Sequence, residues 1–538
     1  MANNSEINPE TITNMDAPRT APPQRRNSIA GNAIANGIWY VLVIVSGFVI
    51  PRAIAQYQGQ VLLGIWDLGL SLLFYVGLLR MGAGSAVSRY VSRYRTLEDW
   101  HSLNANVNSS LAFLSLAAVL GIIGAAVLAA LVHLLIPDGT PELLATARWI
   151  VFLLAASAAL EMPISVFNAV ITGQERFDVL NWTRGLRDLA VLVSVLALLF
   201  VGFGLVALSQ AVLLSTIAYG AVQVYCCRSI CPQLQISPRH CSWRAMKKVA
   251  VFGTKSMSRD LARSLLYQGN SIILAAFLGP AALAIYTRQR NLVMQVMKFV
   301  KQFAQVFIPV SSSLDARQDQ EGLQRLLIQS AQYGTWLTLP MILILILLGG
   351  PLVQLWMGPE YVAPATLTIL SLGHLLSVAQ LGPYSVLEGM GRHFKPALLE
   401  LLGAIFGLGL TFLGLSVLGW EMAGAAASVA LAIGVTTGIF VPWYACRLVG
   451  LPVRQYAAEV FIRPALASIP LALCLGITGH VFRSEPLQAV VFGLSIGGIV
   501  TVASYWLWVV PGSMKTAILN RLSQKLSGTR QRGKAHAP

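Results

Sequence analysis

Fourteen apolar stretches, each long enough to cross a bilayer as a helix, recur along this 538-residue chain. A helix rises about 1.5 Å per residue, so about 20 apolar residues cover the roughly 30 Å hydrocarbon core. The stretches fall near 34–55, 61–80, 109–136, 147–170, 186–203, 205–226, 254–278, 281–301, 329–350, 363–386, 397–417, 422–446, 463–482 and 486–510. Lipid leaves no partner for an open backbone, and runs this long satisfy theirs as helices. With 56% hydrophobic and 11% charged residues, a water-soluble fold could not hide the apolar side chains. The expectation is an all-α polytopic membrane protein of about 14 transmembrane helices.

The net charge of +16 does not call for nucleic acid. Lys and Arg crowd alternate loops: Arg19, Arg25 and Arg26, then Arg89, Arg93 and Arg95, then Arg176 and Arg184, and so on to Arg447, Arg454, Lys515 and Arg521. The opposite side holds little but Arg52, Arg148 and Arg483. Excess cations mark cytoplasmic loops, which places both termini in the cytoplasm of a multi-pass inner-membrane protein. Residues 1–32 read as a disordered cytoplasmic tail without a cleavable signal, and 511–538 as a basic tail at the membrane surface. The inner loops near 227–253 and 311–328, and Ser85–Tyr94, suit amphipathic helices lying on that surface. Cys227, Cys231, His240 and Cys241 lack the paired spacing of a zinc knuckle, so no metal is expected. No cofactor is expected, and no phosphate-binding Gly-rich loop is present.

An internal repeat divides the chain. Gly173-Gln-Glu-Arg176 and Gly389-Met-Gly-Arg392 stand 216 residues apart, and Gly64-Ile65-Trp66 and Ala284-Ile285-Tyr286 stand 220 apart. Each half then holds six spans of like orientation, a parallel repeat facing its twin across a central cavity. The expected organisation is an N-lobe over 33–226, a linker over 227–253, a C-lobe over 254–446 and two extra helices over 447–510.

The seventh and eighth stretches carry too much charge for lipid alone. Arg259, Asp260 and Arg263 precede the break at Gly279-Pro280; Arg288, Arg290 and Lys298 follow it. Counted from the turn, Arg288 and Arg290 lie about 10–15 Å into the bilayer and Arg263 about 24 Å. A charge at mid-bilayer costs about 2.5–3.5 kcal/mol on insertion scales, so these cations need a wet cavity, a partner or an anionic ligand. Arg suits phosphate oxygens through its planar fork, and Lys adds a compact charge. Arg259, Arg263, Arg288, Arg290 and Lys298 are therefore candidate substrate-binding residues of a cationic cavity. Pairing with Asp260, Glu161 or Glu388 is the plainer alternative. Asp67, Glu161 and Asp260 are candidate coupling or counter-ion acids, with Asp67 at a helix end or gate. Glu388 and Glu400 read as solvated groups near the cytoplasmic surface.

Several runs then add a resemblance. Leu63-Gly-Ile-Trp66-Asp67-Leu, Leu79-Arg-Met-Gly-Ala-Gly, Phe277-Leu-Gly-Pro280, Ile308-Pro309 and Leu355-Trp-Met-Gly358-Pro-Glu-Tyr361 resemble, in order and spacing, polysaccharide and O-antigen flippases of the MATE-like superfamily. The resemblance implies two pseudo-symmetric six-helix lobes with two C-terminal helices. It also implies alternating access for undecaprenyl-diphosphate-linked oligosaccharide or polysaccharide repeat units. Its implied partners are a coupling ion, H+ or Na+, and the polymerase and glycosyltransferases of the same pathway. A cation-coupled multidrug exporter and a lipid II flippase share the architecture. The first span, however, lacks the acid common in such exporters. A membrane glycosyltransferase or polymerase would need a catalytic loop with acids, and the short outer loops leave no room for one. The expectation is a transporter, not an enzyme.

Overall fold

The computed structural model describes residues 29–80, 83–243 and 258–510, with a few isolated positions beside them. Most of the two expected tails, part of the linker, and the side chains of Arg259 and Asp260 lie outside the described residues. Within them the regular elements are helical. The first half runs α1 (Ile29–Gln58), α2 (Gln60–Gly77), α3 (Ala83–Thr96), α4 (Trp100–Ala130), α5 (Pro141–Gly173), α6 (Phe177–Val201) and α7 (Leu205–Ile230). The second half runs α8 (Ser258–Ala304), α9 (Phe307–Ala316), α10 (Gln320–Met357), α11 (Pro364–Ala379), α12 (Leu381–Gly389), α13 (Phe394–Ser416), α14 (Met422–Ile433) and α15 (Val441–Val449). A π-helical stretch, Gly434–Phe440, joins the last two. Then come α16 (Val453–Ala457), α17 (Arg463–Val481) and α18 (Pro486–Trp508).

Twelve stretches among the described residues are long and apolar enough to cross a membrane. One of them, Leu261–Ala304, is bent at Gly279 (φ 81°, ψ 169°) into two legs. Asn270 donates to the Tyr286 hydroxyl at 2.8 Å and Arg290 to the Tyr267 carbonyl at 3.1 Å, pairs nearly equidistant from that bend, so the legs run antiparallel. Phe177–Val201 has the length to cross but carries Arg184, Arg187 and Asp188. With the hairpin as two crossings and α6 included, the fourteen expected crossings are accounted for.

The repeat is written into the backbone. Gly59 between α1 and α2 adopts φ 84° and ψ 175°, matching Gly279 220 residues later. A side chain is disfavoured at such a φ, which explains glycine at both turns. Glu98 (φ 53°) recurs as Gln318 (φ 56°), and Glu175 (φ 60°) as Gly391 (φ 70°). Asp99 accepts from the Ser102 amide at 3.0 Å to cap α4, and Asp319 accepts from the Gly322 amide at 2.8 Å to cap α10. Gly173 lies against Ser88 and Val91 of α3, and Gly389 lies against Ile308 and Ser311 of α9. Each glycine closes its half by letting the end of its helix seat on a short helix, where a Cβ would collide. The segment Ser85–Tyr94 is thus helical as expected, but its Val87 and Val91 are buried against the lobe.

The two halves meet chiefly where α2 crosses the hairpin α8. Gly64 sits directly on the Pro280 carbonyl, and Gln60 donates to the Ala281 carbonyl at 3.3 Å. This "turn end" holds the tight glycine turns at Gly59, Gly202, Gly279 and Gly419; the opposite "basic end" holds the arginine-rich loops. α17 and α18 pack on each other and on α10.

Two inner loops differ from the expected amphipathic surface helices. Residues 311–328 are the end of α9, a turn and the start of α10. After α7, the chain over 233–242 is an irregular strap on α4, with one short 3-10 turn at Pro238–His240. The Asn104 side chain donates to the Gln233 carbonyl at 3.0 Å and accepts from the Gln235 amide at 2.7 Å. Asn108, one turn on, donates to the Gln235 carbonyl at 2.7 Å and accepts from the Ser237 amide at 2.8 Å. Ser109 accepts from the Ser242 amide at 2.8 Å. The strap takes from these side chains the hydrogen bonds a helix would have made internally.

Candidate functional site

A charged lock joins the halves at the turn end. Arg288 of α8 donates from one nitrogen to both oxygens of Asp67 on α2, at 2.6 Å each. Thr287 donates to the same carboxylate at 2.5 Å. Arg288 is fully buried and Asp67 is 6% exposed. Nε and Nη1 of Arg288 have no hydrogen-bond partner among the described residues, and the guanidinium lies 5.9 Å from the Trp356 ring. Trp356 in turn donates to the Phe48 carbonyl at 2.8 Å, and its own carbonyl accepts from Arg52 at 2.7 Å. Phe48 and Arg52 belong to α1, so α1, α2, α8 and α10 are tied together. Breaking a buried pair strands a charge at a cost of about 3–5 kcal/mol, so the lock holds the turn end shut. The expectation that Arg288 lines an open cavity differs from this placement: Asp67 meets its charge and protein surrounds it.

Arg263 and Arg290 of the hairpin face the interior of the C-terminal half. Arg290 donates to the Tyr267 carbonyl and, at 2.6 Å, to the Ser271 hydroxyl, linking the two legs. Arg263 lies 3.4 Å from Glu400 on α13 and 3.9 Å from the Met297 sulfur. Glu400 is 5% exposed and also accepts from Thr437 at 2.9 Å, within the π-helical stretch. The sequence reading of Glu400 as a solvated surface acid is therefore corrected: it stands nearly two turns into α13, on its inner face, and meets an arginine there. Tyr267 shares a 2.8 Å hydrogen bond with His374, so that histidine belongs to the same polar core. Lys298 is exposed and apart from this network.

The open cationic space lies in the N-terminal half. α5 carries Glu161, Ser165, Asn168 and Thr172 at spacings of four, three and four, which stack on one helix face. Ser165, Asn168 and Thr172 look into a cavity of about 670 Å³ at the basic end, whose lining also includes Arg80, Arg89 and Arg184 with Ser88. It adjoins a second cavity of about 150 Å³, since Arg80, Asn168 and Arg184 line both. The smaller space is finished by Trp39, Glu161, Arg187, Asp188 and Tyr219. Glu161 pairs with Arg187 rather than with any hairpin arginine. The Trp39 indole donates to Asp188 at 2.9 Å, and Tyr219 donates to Asn168 at 3.1 Å. Four arginines against two carboxylates leave the paired cavities net positive. No cluster of metal-ligating side chains occurs among the described residues.

These features match known proteins. The family described as "Polysaccharide biosynthesis protein" matches residues 100–365. A "Putative O-antigen transporter" of Shigella flexneri is 20% identical over 384 residues, covering 68% of this chain and 87% of that protein. Among solved structures, "Lipid II flippase MurJ, inward closed conformation" aligns with a TM-score of 0.66 at 13% identity, covering 89% of this chain and 99% of that one. An inward-facing multidrug resistance MATE family transporter of the MOP superfamily aligns at 0.62 and 16% identity, over 79% and 95%. Over residues 100–365, just under half of its length, the chain resembles the polysaccharide-biosynthesis family. Its fold is MATE-like, as the sequence motifs implied.

The residues that sequence reasoning missed are Arg187 and Asp188. They stand inside α6, where the expected span began at residue 186, so they read as a span boundary. The signal available was their pairing in sequence: Arg184, Arg187 and Asp188 share one turn of an otherwise apolar helix. Arg80 and Arg184 were visible only as parts of a motif and a loop.

Proposed function

We propose that the transporter moves undecaprenyl-diphosphate-linked oligosaccharide from the cytoplasmic to the outer leaflet of the inner membrane by alternating access. The observation that carries this reading is the cationic cavity of about 670 Å³ with hydroxyl and amide groups on its α5 wall. A diphosphate diester is a dianion, and Arg80, Arg89 and Arg184 supply charged forks for its oxygens. Ser165, Asn168 and Thr172 offer donors and acceptors suited to sugar hydroxyls. A cavity of this size holds a headgroup and leaves the polyprenyl tail in lipid.

Arginine-rich loops on the basic end favour that end as the cytoplasmic side, with both termini there. The turn end then faces outward and is the gate, closed by Asp67 and Arg288. The cavity is cationic, which disfavours the cationic cargo of a multidrug exporter. The protein carries out translocation without chemistry on the glycan. The glycosyltransferases and polymerase of the pathway supply and consume the cargo, and an H+ or Na+ gradient or the membrane potential drives it.

Purified protein in liposomes tests the proposal. Undecaprenyl-diphosphate oligosaccharide is expected to reach the opposite leaflet in a protein-dependent manner, and Arg184→Ala to slow that movement. Efflux of a cationic dye without lipid movement would sink the reading.

A further inference from the structure

We propose that Glu161 is a built-in competitor of the cargo: its carboxylate holds Arg187 when the cavity is empty, yields to a diphosphate, and returns to expel it. This inference rests on the reading of the cavity given above and assigns a positioning role within it.

The geometry supports exchange rather than a permanent brace. The Glu161 and Arg187 side chains are 35% and 23% exposed, so a ligand in the smaller cavity reaches both. The pair is made end-on by one nitrogen of Arg187, and that same nitrogen lies 3.3 Å from the Thr216 hydroxyl. Nε of Arg187 has no hydrogen-bond partner among the described residues, so the side-on fork is not filled by the carboxylate. The guanidinium itself is held in place by other groups, 5.5 Å from the Tyr219 ring. Arg187 therefore keeps its position whether its anion is a carboxylate or a phosphate. The neighbouring acid is different: Asp188 is tied to the Trp39 indole, which anchors α1 to α6. Glu161 also sits at the deep end of the polar face that runs through Ser165 and Asn168 to Thr172. A diphosphate that passes Arg89 and Arg184 meets Arg187 last, and displacing Glu161 completes its binding. The displaced carboxylate is then an adjacent like charge, which favours release.

A competitor leaves a signature that a structural brace does not. Removing its charge should tighten binding while slowing turnover. The probe is a short-chain polyprenyl-diphosphate-linked monosaccharide, with inorganic pyrophosphate as a second arm that separates lipid-headgroup recognition from recognition of free diphosphate. Glu161→Gln is expected to bind the lipid probe about tenfold more tightly, the effect of one like charge a few ångströms away, and to flip it more slowly. Glu161→Asp keeps the charge on a shorter stem. It is expected to bind between wild type and Glu161→Gln and to turn over faster than Glu161→Gln, so the inference stays testable if Glu161→Gln does not fold. Affinity and turnover that fall together, or that both stay unchanged while the wild type transports, overturn this inference and leave the proposed function standing. A wild type that neither binds nor flips the lipid probe overturns both. Tightening toward pyrophosphate alone, with lipid-probe affinity unchanged, overturns the assignment of the cargo as the competing anion.

Discussion

Asp67 and Thr287 stand 220 residues apart, at matching positions of the two repeats, and meet across the boundary between them with a 2.5 Å hydrogen bond. The local twofold relation therefore passes between an acid and a hydroxyl, and Arg288 beside the hydroxyl supplies the charge the acid needs. The repeats have diverged where they touch, which turns a symmetric crossing into a latch.

The latch makes a first prediction. Asp67→Asn leaves the buried Arg288 without its counter-charge, at about 3–5 kcal/mol against the closed arrangement. Disulfide formation between Gln60→Cys and Ala281→Cys, two positions already in contact, is expected to drop in the Asp67→Asn background. Undiminished cross-linking would show that backbone packing alone keeps the turn end shut.

Gly64 gives a second. A side chain there meets the Pro280 carbonyl, which is backbone and cannot rotate away. Gly64→Val is expected to push α2 off the hairpin and raise labelling of the Thr287→Cys variant by an impermeant thiol reagent. Gly37, around which a Cβ would find open space, is the control: Gly37→Ala should change neither labelling nor transport.

The two arginine groups separate in a third. Arg184→Ala removes a cavity cation and is expected to lower flipping by at least about tenfold, the loss of one charge-assisted contact, with little change in thermal stability. Arg263→Ala instead strands the buried Glu400 and is expected to lower the unfolding temperature first. Melting curves beside transport rates decide, and equal loss of stability in both variants would remove the distinction.

Acid sensitivity of the α4 cap is a fourth. The Ser102 hydroxyl and backbone amide hold the Asp99 carboxyl below its ordinary value. A lowered carboxyl contributes stability above the unfolded value of about 3.9, lost as pH falls through the folded one. Asp99→Ala should therefore melt earlier than wild type at neutral pH and converge with it in strong acid. A constant gap across that range would place the effect elsewhere.

Much of the fold was legible in the sequence because lipid is a severe solvent. The fourteen crossings follow from apolar length, and the repeat from paired glycines whose reason is now visible at Gly173 and Gly389. Partner choice was not legible. Arg288 and Glu161 were both recognised as costly intramembrane charges, but which acid meets which cation depends on rotation about helices that a sequence does not specify. Nearness to Arg392 in sequence suggests a surface position for Glu400, whereas α13 starts at Phe394 and carries it inward by nearly two turns. The strap on α4 leaves no sequence signal, because Asn104 and Asn108 look like ordinary polar residues of a helix end.

The seat of Gly64 on Pro280 also acts as a fulcrum. It lies near one end of α2, and the helix extends from it for 13 more residues, to Gly77. At about 1.5 Å per residue that arm is close to 20 Å, so a tilt of about 10° at the seat swings the far end by about 3 Å. Small changes in packing at the pivot are thus geared into the width of the opening on the arginine-rich side.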